Sequence, residues 1–159
     1  MDNFNYYCDN IHLLGIQGMN KKTIQSILER AQYFYQKKKN RKNKILKDNL
    51  VINLFFENST RTKASFEIAA KSMSADILNI SVSSSLIKKG ETLADTATTL
   101  NAMHPDFLIL RHPNSGAAEM LSKHVECSII NAGDGRHEHP TQALLEAAVI
   151  KEEGINLDG

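Results

Sequence analysis

Apolar residues along this chain follow two spacings, short continuous runs and repeats at helical intervals. Four short runs predict strands, at about 50–56, 77–80, 107–110 and 127–131. Apolar positions three or four residues apart predict helices between them, as in Phe66, Ala69, Ala70 and Met73 and in Leu93, Ala97, Leu100 and Met103. A first helix is expected after a capping Asn20, and a last helix from Pro140 to about Glu152. Strands separated by helices predict an α/β fold, a parallel sheet of about four strands with helices on both faces.

Polar residues collect where the predicted strands end. In open parallel sheets of this kind, ligands bind beyond the carboxyl ends of the strands. The four polar segments are Ser59-Thr60-Arg61-Thr62, Ser81 to Lys89, Arg111-His112-Pro113, and Ala132-Gly133-Asp134-Gly135 with His139-Pro140-Thr141-Gln142. Arginines, lysines, hydroxyls and helix N-termini at one sheet edge suit a small, doubly charged phosphate ester or anhydride. Neither G-x-x-x-x-G-K-[ST] nor G-x-G-x-x-G is present, which argues against a nucleotide cradle.

Composition narrows the function classes. The 159 residues correspond to about one domain. The 19 basic and 18 acidic residues nearly balance, which argues against a general nucleic-acid or membrane-surface role. The lysine-rich stretch 37–44 lacks interleaved aromatic residues for base stacking, so we interpret it as the solvated end of the first helix.

The cysteines and the N-terminal sequence indicate in which cellular compartment the protein acts. Cys8 and Cys127 show neither metal-ligand spacing nor a secreted disulfide framework, which favours a reducing cytoplasm, and Cys127 is expected to be a small core residue. No signal-peptide pattern is visible, and no apolar run approaches the ~20 residues of a membrane span. The loop cluster His137-Glu138-His139 has no clear third ligand, so we expect no bound metal. The expectation is a cytoplasmic protein without a cofactor.

Each candidate site residue also has an ordinary structural interpretation. The alternatives are helix caps for Ser59, Thr60, His139 and Gln142, a solvated charge for Arg61, an ion pair at a strand end for Arg111 and a mobile, solvated loop for Ser85 and Lys89. The residues alone leave both interpretations open.

Four sequence blocks stand out, which read F-F-E-N-S-T-R-T at 55–62, K-K-G-E-T-L-A-D-T at 88–96, R-H-P at 111–113 and N-A-G-D-G…H-P-T-Q at 131–142. Together they closely resemble the carbamoyl-phosphate domain of the aspartate/ornithine carbamoyltransferase family, and in particular its aspartate branch. Their order and spacing fit the family. One departure is Lys63, where an arginine commonly follows Ser-Thr-Arg-Thr, and the positive charge is kept.

The resemblance implies a role for each site residue. The phosphate of carbamoyl phosphate is bound in the family by the residues matching Ser59, Thr60, Arg61 and Thr62. Arg111 resembles a second guanidinium that spans phosphate and carbonyl oxygen, His139 resembles a donor to that oxygen, and Gln142 a ligand of the carbamoyl NH2 group. Ser85 and Lys89 match a loop that the family inserts into a neighbouring subunit's active site. The catalytic set implied is Arg61, Thr62, Arg111 and His139.

The activity implied is carbamoyl transfer from carbamoyl phosphate to L-aspartate, an early step of de novo pyrimidine biosynthesis, in a cofactor-free homotrimer with shared active sites. Whether regulatory chains bind is left open. The resemblance covers the whole chain but only about the first half of a family member, the second domain being missing. We expect a carbamoyl-phosphate-binding domain at 1–138, and the interdomain helix with the start of the aspartate-binding domain at 139–159. Such a part should bind carbamoyl phosphate without turnover. The alternatives are an ornithine-type or other carbamoyltransferase and a non-catalytic phosphate-binding module.

Overall fold

Strands and helices alternate along the chain, as the sequence predicts. The computed structural model describes residues 11–36, 43–82 and 92–155. The elements are α1 (Lys21–Gln36), β1 (Leu50–Phe55), α2 (Thr60–Ser72), β2 (Asp76–Ser81), α3 (Leu93–Asn101), β3 (Phe107–His112), α4 (Ala117–Ser122), β4 (Ser128–Asp134) and α5 (Pro140–Glu152). Each predicted strand and helix is confirmed, and the differences lie at the ends of the elements.

The four strands form one parallel sheet in the order β2-β1-β3-β4. Leu54 of β1 lies between Ile80 of β2 and Leu110 of β3. The pairing of β3 with β4 shifts register between Leu110 and His112. All four carboxyl ends therefore point to the same edge, where the polar segments were predicted to meet.

Helices cover both faces of the sheet, because successive strand side chains point to opposite sides. One face packs against α3 and α4, through a cluster of buried residues that includes Ile52, Leu54, Leu108, Leu110, Ile129, Ala97, Leu100 and Leu121. The other face packs against α2, through Val51, Phe55, Ile109, Ala132 and Ala70. The predicted doubly covered parallel sheet is confirmed.

Helix termini and exposure add detail to the predicted pattern. Asn20 Oδ1 accepts the Thr23 N–H at 2.8 Å, which confirms Asn20 as the cap of α1. Ala69 is exposed, so the prediction that it belongs to the packed face of α2 is wrong, and that face is formed around Phe66 and Ala70. Cys127 is buried in the core, as predicted, and its burial raises the pKa of the thiol.

Among the described residues, no helix combines the length and apolar character needed to cross a membrane. Residues 37–42, which form most of the lysine-rich stretch, lie outside the described ranges.

Candidate functional site

The N-terminus of α2 is open to an anion. Thr60 is its first residue, and Ser59 precedes it without capping it through its side chain. Instead the Ser59 hydroxyl donates to Thr62 Oγ1 at 2.9 Å. The first-turn N–H groups of a helix lack intrahelical partners, and the helix dipole favours negative charge there. Ser59 therefore occupies the N-cap position without capping the helix through its side chain, and the turn keeps its donors for a ligand.

Arg61 and Thr62 lie in this first turn. The Arg61 residue is exposed. Its guanidinium makes no hydrogen bond or ion pair with another residue of the described ranges. An exposed guanidinium beside free helix N–H groups can bind a phosphate at little desolvation cost.

Arg111, near the end of β3, is fixed on two sides. Its Nε donates to Glu57 Oε2 at 3.0 Å, and its Nη1 donates to the Ala132 carbonyl at 3.1 Å. The predicted alternative of an ion pair at a strand end is thus present, since Glu57 and Arg111 form one. These two contacts occupy Nε and Nη1, and Nη2 has no partner among the described residues. Five donors in a rigid fork allow an arginine to be held by one group while it binds another.

Gly133 brings Arg111 and His139 together. A Cβ atom added at Gly133 would lie 1.8 Å from Arg111 Nη1 and 3.2 Å from His139 Cδ2. Gly133 has a φ of +110°, which L side chains rarely adopt. The guanidinium and the imidazole therefore meet over the one residue type that leaves space for both.

His139 immediately precedes α5 and makes no side-chain cap of that helix. Its Nδ1 lies 3.3 Å from Thr141 Oγ1. Burial lowers the pKa of His139 and the nearby charge of Arg111 lowers it further, while Glu146 acts in the opposite direction. The imidazole next to the guanidinium is therefore neutral at neutral pH, and His139 occupies the N-cap position without capping the helix through its side chain.

Asp134, at the end of β4, organises the loop that follows. It is 1% exposed. Its Oδ1 accepts from Asn131 Nδ2 at 2.9 Å and from the Glu138 N–H at 3.1 Å, while its Oδ2 accepts from the Gly116 N–H at 2.7 Å. Burial by itself raises the pKa of Asp134, but these hydrogen bonds and one from His137 outweigh it, so the pKa is lowered. The carboxylate ties the start of α4 to the loop that leads into α5.

Gln142 lies in the first turn of α5 and is exposed. Its Nε2 donates to Glu146 Oε1 at 3.0 Å, one turn further along the helix. No capping box forms at α5, so the capping interpretation of Gln142 is wrong. The structure does not bring the Gln142 amide into contact with Arg111 or His139.

The loop cluster His137-Glu138-His139 diverges rather than converging on one point. His137 Nδ1 lies 3.3 Å from Asp134 Oδ2, and Glu138 Oε1 accepts the Ile16 N–H at 3.3 Å, across the chain. Within the described ranges no group of three or more His, Cys, Asp or Glu side chains is placed to hold a metal ion. The predicted site residues Ser85 and Lys89 lie in 83–91, outside those ranges.

The chain matches the family described as aspartate/ornithine carbamoyltransferase, carbamoyl-P binding domain, over residues 11–152. Among curated relatives, the aspartate carbamoyltransferase catalytic subunit of Parvibaculum lavamentivorans is 55% identical over 150 residues, covering 93% of this chain and 46% of the relative. The corresponding subunit of Rhodospirillum rubrum is 53% identical over 151 residues, covering 93% of this chain and 47% of the relative. The chain therefore spans about half the length of the curated relatives it matches.

Solved structures agree with the sequence matches. Trypanosoma cruzi aspartate transcarbamoylase in complex with carbamoyl aspartate and phosphate superposes with a TM-score of 0.84 at 35% identity, covering 93% of this chain and 46% of that chain. The catalytic subunit of M. jannaschii aspartate transcarbamoylase gives 0.81 at 35% identity, covering 92% and 48%. Because the family match extends from the segment before α1 to the end of α5, and takes in every described residue of the strand-end site, the chain belongs to the aspartate/ornithine carbamoyltransferase family.

Proposed function

We propose that this chain is the carbamoyl-phosphate-binding part of an enzyme that transfers a carbamoyl group to the α-amine of L-aspartate, giving N-carbamoyl-L-aspartate and phosphate. The observation that carries the proposal is the meeting of Arg111 and His139 over Gly133, at the edge to which the open N-terminus of α2 also points. The aspartate specificity is supported by the relatives, which are named aspartate carbamoyltransferases. A Trypanosoma cruzi relative has been solved with both carbamoyl phosphate and aspartate.

The phosphate of carbamoyl phosphate is assigned to the first turn of α2. Ser59, Thr60 and Thr62 supply hydroxyls and backbone N–H groups, and Arg61 supplies a guanidinium. Support comes from the missing side-chain cap and from the exposed position of Arg61. A dianion placed there gains the helix dipole and charge-assisted hydrogen bonds together.

The carbonyl oxygen is assigned to Thr62, Arg111 and His139. When the amine nitrogen attacks the carbonyl carbon, negative charge grows on this oxygen, and donors fixed in advance stabilise it. In the tautomer in which His139 Nδ1 accepts from Thr141, Nε2–H is the free donor. A neutral His139 suits this role because its Nε2–H donates to the oxygen while the lowered pKa makes its ring a weak base.

The reaction then needs no protein nucleophile. A bond forms between the amine nitrogen and the carbonyl carbon, the bond from that carbon to the phosphate oxygen breaks, and phosphate leaves with the amine proton. The contribution of the protein is to orient the two substrates and to stabilise charge. No cofactor is assigned a step.

Gln142 is assigned to the carbamoyl NH2 group, which requires its amide to turn away from Glu146. The domain boundary is placed at 138/139, so that α5 leads into the second domain. Exposed apolar residues on α5 support this division, since Leu145 is 57% and Val149 51% exposed. A second domain that packs on α5 would cover them.

The assembly is proposed to be a homotrimer that acts in the cytoplasm, at an early step of pyrimidine biosynthesis, with Ser85 and Lys89 reaching a neighbouring subunit's site. This part of the proposal rests on the resemblance of residues 88–96 to the family's shared-site loop. An ornithine-type reaction has no observation in its favour here.

Calorimetry on the 159-residue chain tests the binding claim, with carbamoyl phosphate, phosphate and sulfate as titrants. Weak binding of carbamoyl phosphate is expected, without formation of N-carbamoyl-aspartate when aspartate is added. Arg61→Ala should weaken binding at least tenfold, by roughly 1.4 kcal/mol or more. The matched control is Lys47→Ala, which removes one positive charge from an exposed site before β1, at the opposite sheet edge. No heat from any titrant on a folded sample would refute the binding claim.

Turnover is tested on an extended chimaera, in which the second half of the Parvibaculum lavamentivorans subunit follows α5. Two inactive variants, Lys89→Ala and Arg61→Ala, are mixed, dissociated and reassociated. Activity should reappear, because some pockets of a hybrid trimer receive both defects and others receive neither. If hybrids form and stay inactive, Lys89 serves the site of its own subunit.

A further inference from the structure

α2 carries the proposed anion site in its first turn, and only a narrow apolar face holds it on the sheet. Ala70 is its one buried residue, Phe66 packs half-buried against the sheet, and Ile68 is 68% exposed. A surface helix is normally held by a broad apolar stripe. The position of α2 relative to the strands therefore depends on polar contacts as well as on this apolar face.

A chain of amide and carboxylate groups links α2 to the middle of the sheet. Asn53 of β1 lies beside its parallel partner Asn79 of β2, and Asn53 Nδ2 donates to Asn79 Oδ1 at 2.9 Å. Asn79 Nδ2 then donates to Glu67 Oε2 on α2 at 3.0 Å. We name these three residues the amide relay. A second link runs beside it, from Lys63 Nζ in α2 to Ser81 Oγ at 2.9 Å.

Asn53 is not explained by the stability of the fold. It is 0% exposed, in the centre of a strand whose neighbouring side chains are apolar. Its Oδ1 is buried without a hydrogen-bond partner. A buried polar atom in that state destabilises a protein, and a leucine of similar size would remove the penalty. Asn79 is exposed, so water could replace Asn53 as its partner.

We propose that the amide relay positions the anion site, an inference that rests on the function proposed above for the first turn of α2. Asn53 fixes Asn79, Asn79 holds Glu67, and Glu67 sets the angle at which α2 meets carbamoyl phosphate. None of the three touches the ligand. They act through the helix, where a small misplacement of binding groups has a large effect on binding and rate.

The test compares Glu67→Ala with Lys71→Ala in the 159-residue chain. Lys71 pairs with Glu67 on α2, so both variants lose that ion pair, but only Glu67→Ala breaks the relay. The first readout is the amide resonances of Arg61 and Thr62 without ligand, which should move in Glu67→Ala and stay in Lys71→Ala. The second is calorimetry, in which Glu67→Ala should weaken carbamoyl phosphate binding roughly fivefold or more. Asn53→Leu should weaken it similarly while its thermal midpoint stays equal or rises.

The outcomes separate the two proposals. If Arg61 and Thr62 respond equally to both α2 variants, the relay does not position the turn and the inference falls. If Asn53→Leu lowers the thermal midpoint and the affinity together, its role is merely structural and the inference falls again. If Asn53→Leu does not fold, the comparison of Glu67→Ala with Lys71→Ala decides whether the relay positions the turn. A last outcome is that the wild-type chain binds no carbamoyl phosphate while the amide resonances of Arg61 and Thr62 still differ between Glu67→Ala and Lys71→Ala. In that case the proposed function falls, and the positioning of α2 by the amide relay stands.

Discussion

Gly133→Ala is the substitution for which the structure makes the sharpest statement about the site. The residue lies in β4, under the guanidinium of Arg111 and the ring of His139. Neither catalytic candidate is altered chemically by the change. Any loss of function therefore measures the effect of moving the Arg111 and His139 side chains, because both side chains are still present.

The magnitude follows from the distances. The new methyl group would lie 1.8 Å from Arg111 Nη1, whereas ordinary van der Waals contact begins at 3.4 Å, so the guanidinium must retreat by about 1.6 Å. That retreat breaks its 3.1 Å hydrogen bond to the Ala132 carbonyl. The lost bond costs about 1 kcal/mol and the φ of +110° roughly 1–2 kcal/mol more. A displacement of about 1 Å at a reacting group reduces the rate about 10²-fold.

Calorimetry with carbamoyl phosphate on the 159-residue chain, and kcat/KM of the extended chimaera, measure the effect. Gly18→Ala is the matched control, because Gly18 has a φ of +81° and nothing within 4 Å of an added Cβ. It should lower the thermal midpoint without changing affinity, whereas Gly133→Ala should lose affinity at least about tenfold. Wild-type affinity in a folded Gly133→Ala chain would refute the placement of Arg111 in the site.

Three further predictions concern the same sheet edge. In the chimaera, Arg111→Ala and His139→Ala should each lose about 3 kcal/mol of transition-state stabilisation, lowering kcat more than affinity, and intact turnover in His139→Ala would remove its carbonyl role. Asp134→Asn should lower unfolding stability by about 3 kcal/mol at pH 7, because buried N–H donors lose their acceptor. Because the pKa of Asp134 is lowered in the fold, its contribution is present above the unfolded value of about 3.9 and is lost as pH falls through the folded pKa, so acid titrations should show a flatter stability curve for Asp134→Asn. Bound phosphate should raise the lowered pKa of His139, so binding near pH 6 should take up protons in calorimetry, and His139→Ala should abolish that uptake.

Sequence reasoning succeeded where the signal repeats along the chain. Strands and helices were found because apolar spacing averages over many residues, and the sheet followed from their alternation. The role of a single residue cannot be averaged over neighbouring positions in this way, so it was harder to predict. The cap of α3 illustrates this, since Thr92 and Asp95 form a reciprocal capping box that the apolar spacing does not reveal.

The candidate site divides in the same way. Ser59, Arg61 and His139 were predicted as site residues because polar residues follow strand ends, a rule that needs only chain order. Asp134 was not singled out, because its importance depends on Gly116, which is 18 residues away and donates a backbone N–H to it. The sequence did contain one signal. Asp134 stands between two glycines directly after an apolar run, which is an unusual position for an exposed carboxylate.

Three positions break the local rules of a stable fold, and all three lie on strands that carry the site. Asn53 is a buried amide with an unpaired oxygen, Asp134 is a buried carboxylate, and Gly133 stands in a backbone conformation that side chains avoid. A sequence chosen for stability alone would place an aliphatic residue at Asn53 and would not need Gly133. These exceptions have a physical cause, because a site that gathers charged groups needs space, hydrogen-bond donors and a fixed helix, and apolar packing supplies none of these. An apolar substitution at Asn53 is therefore expected to separate stability from ligand binding, raising the first as it reduces the second.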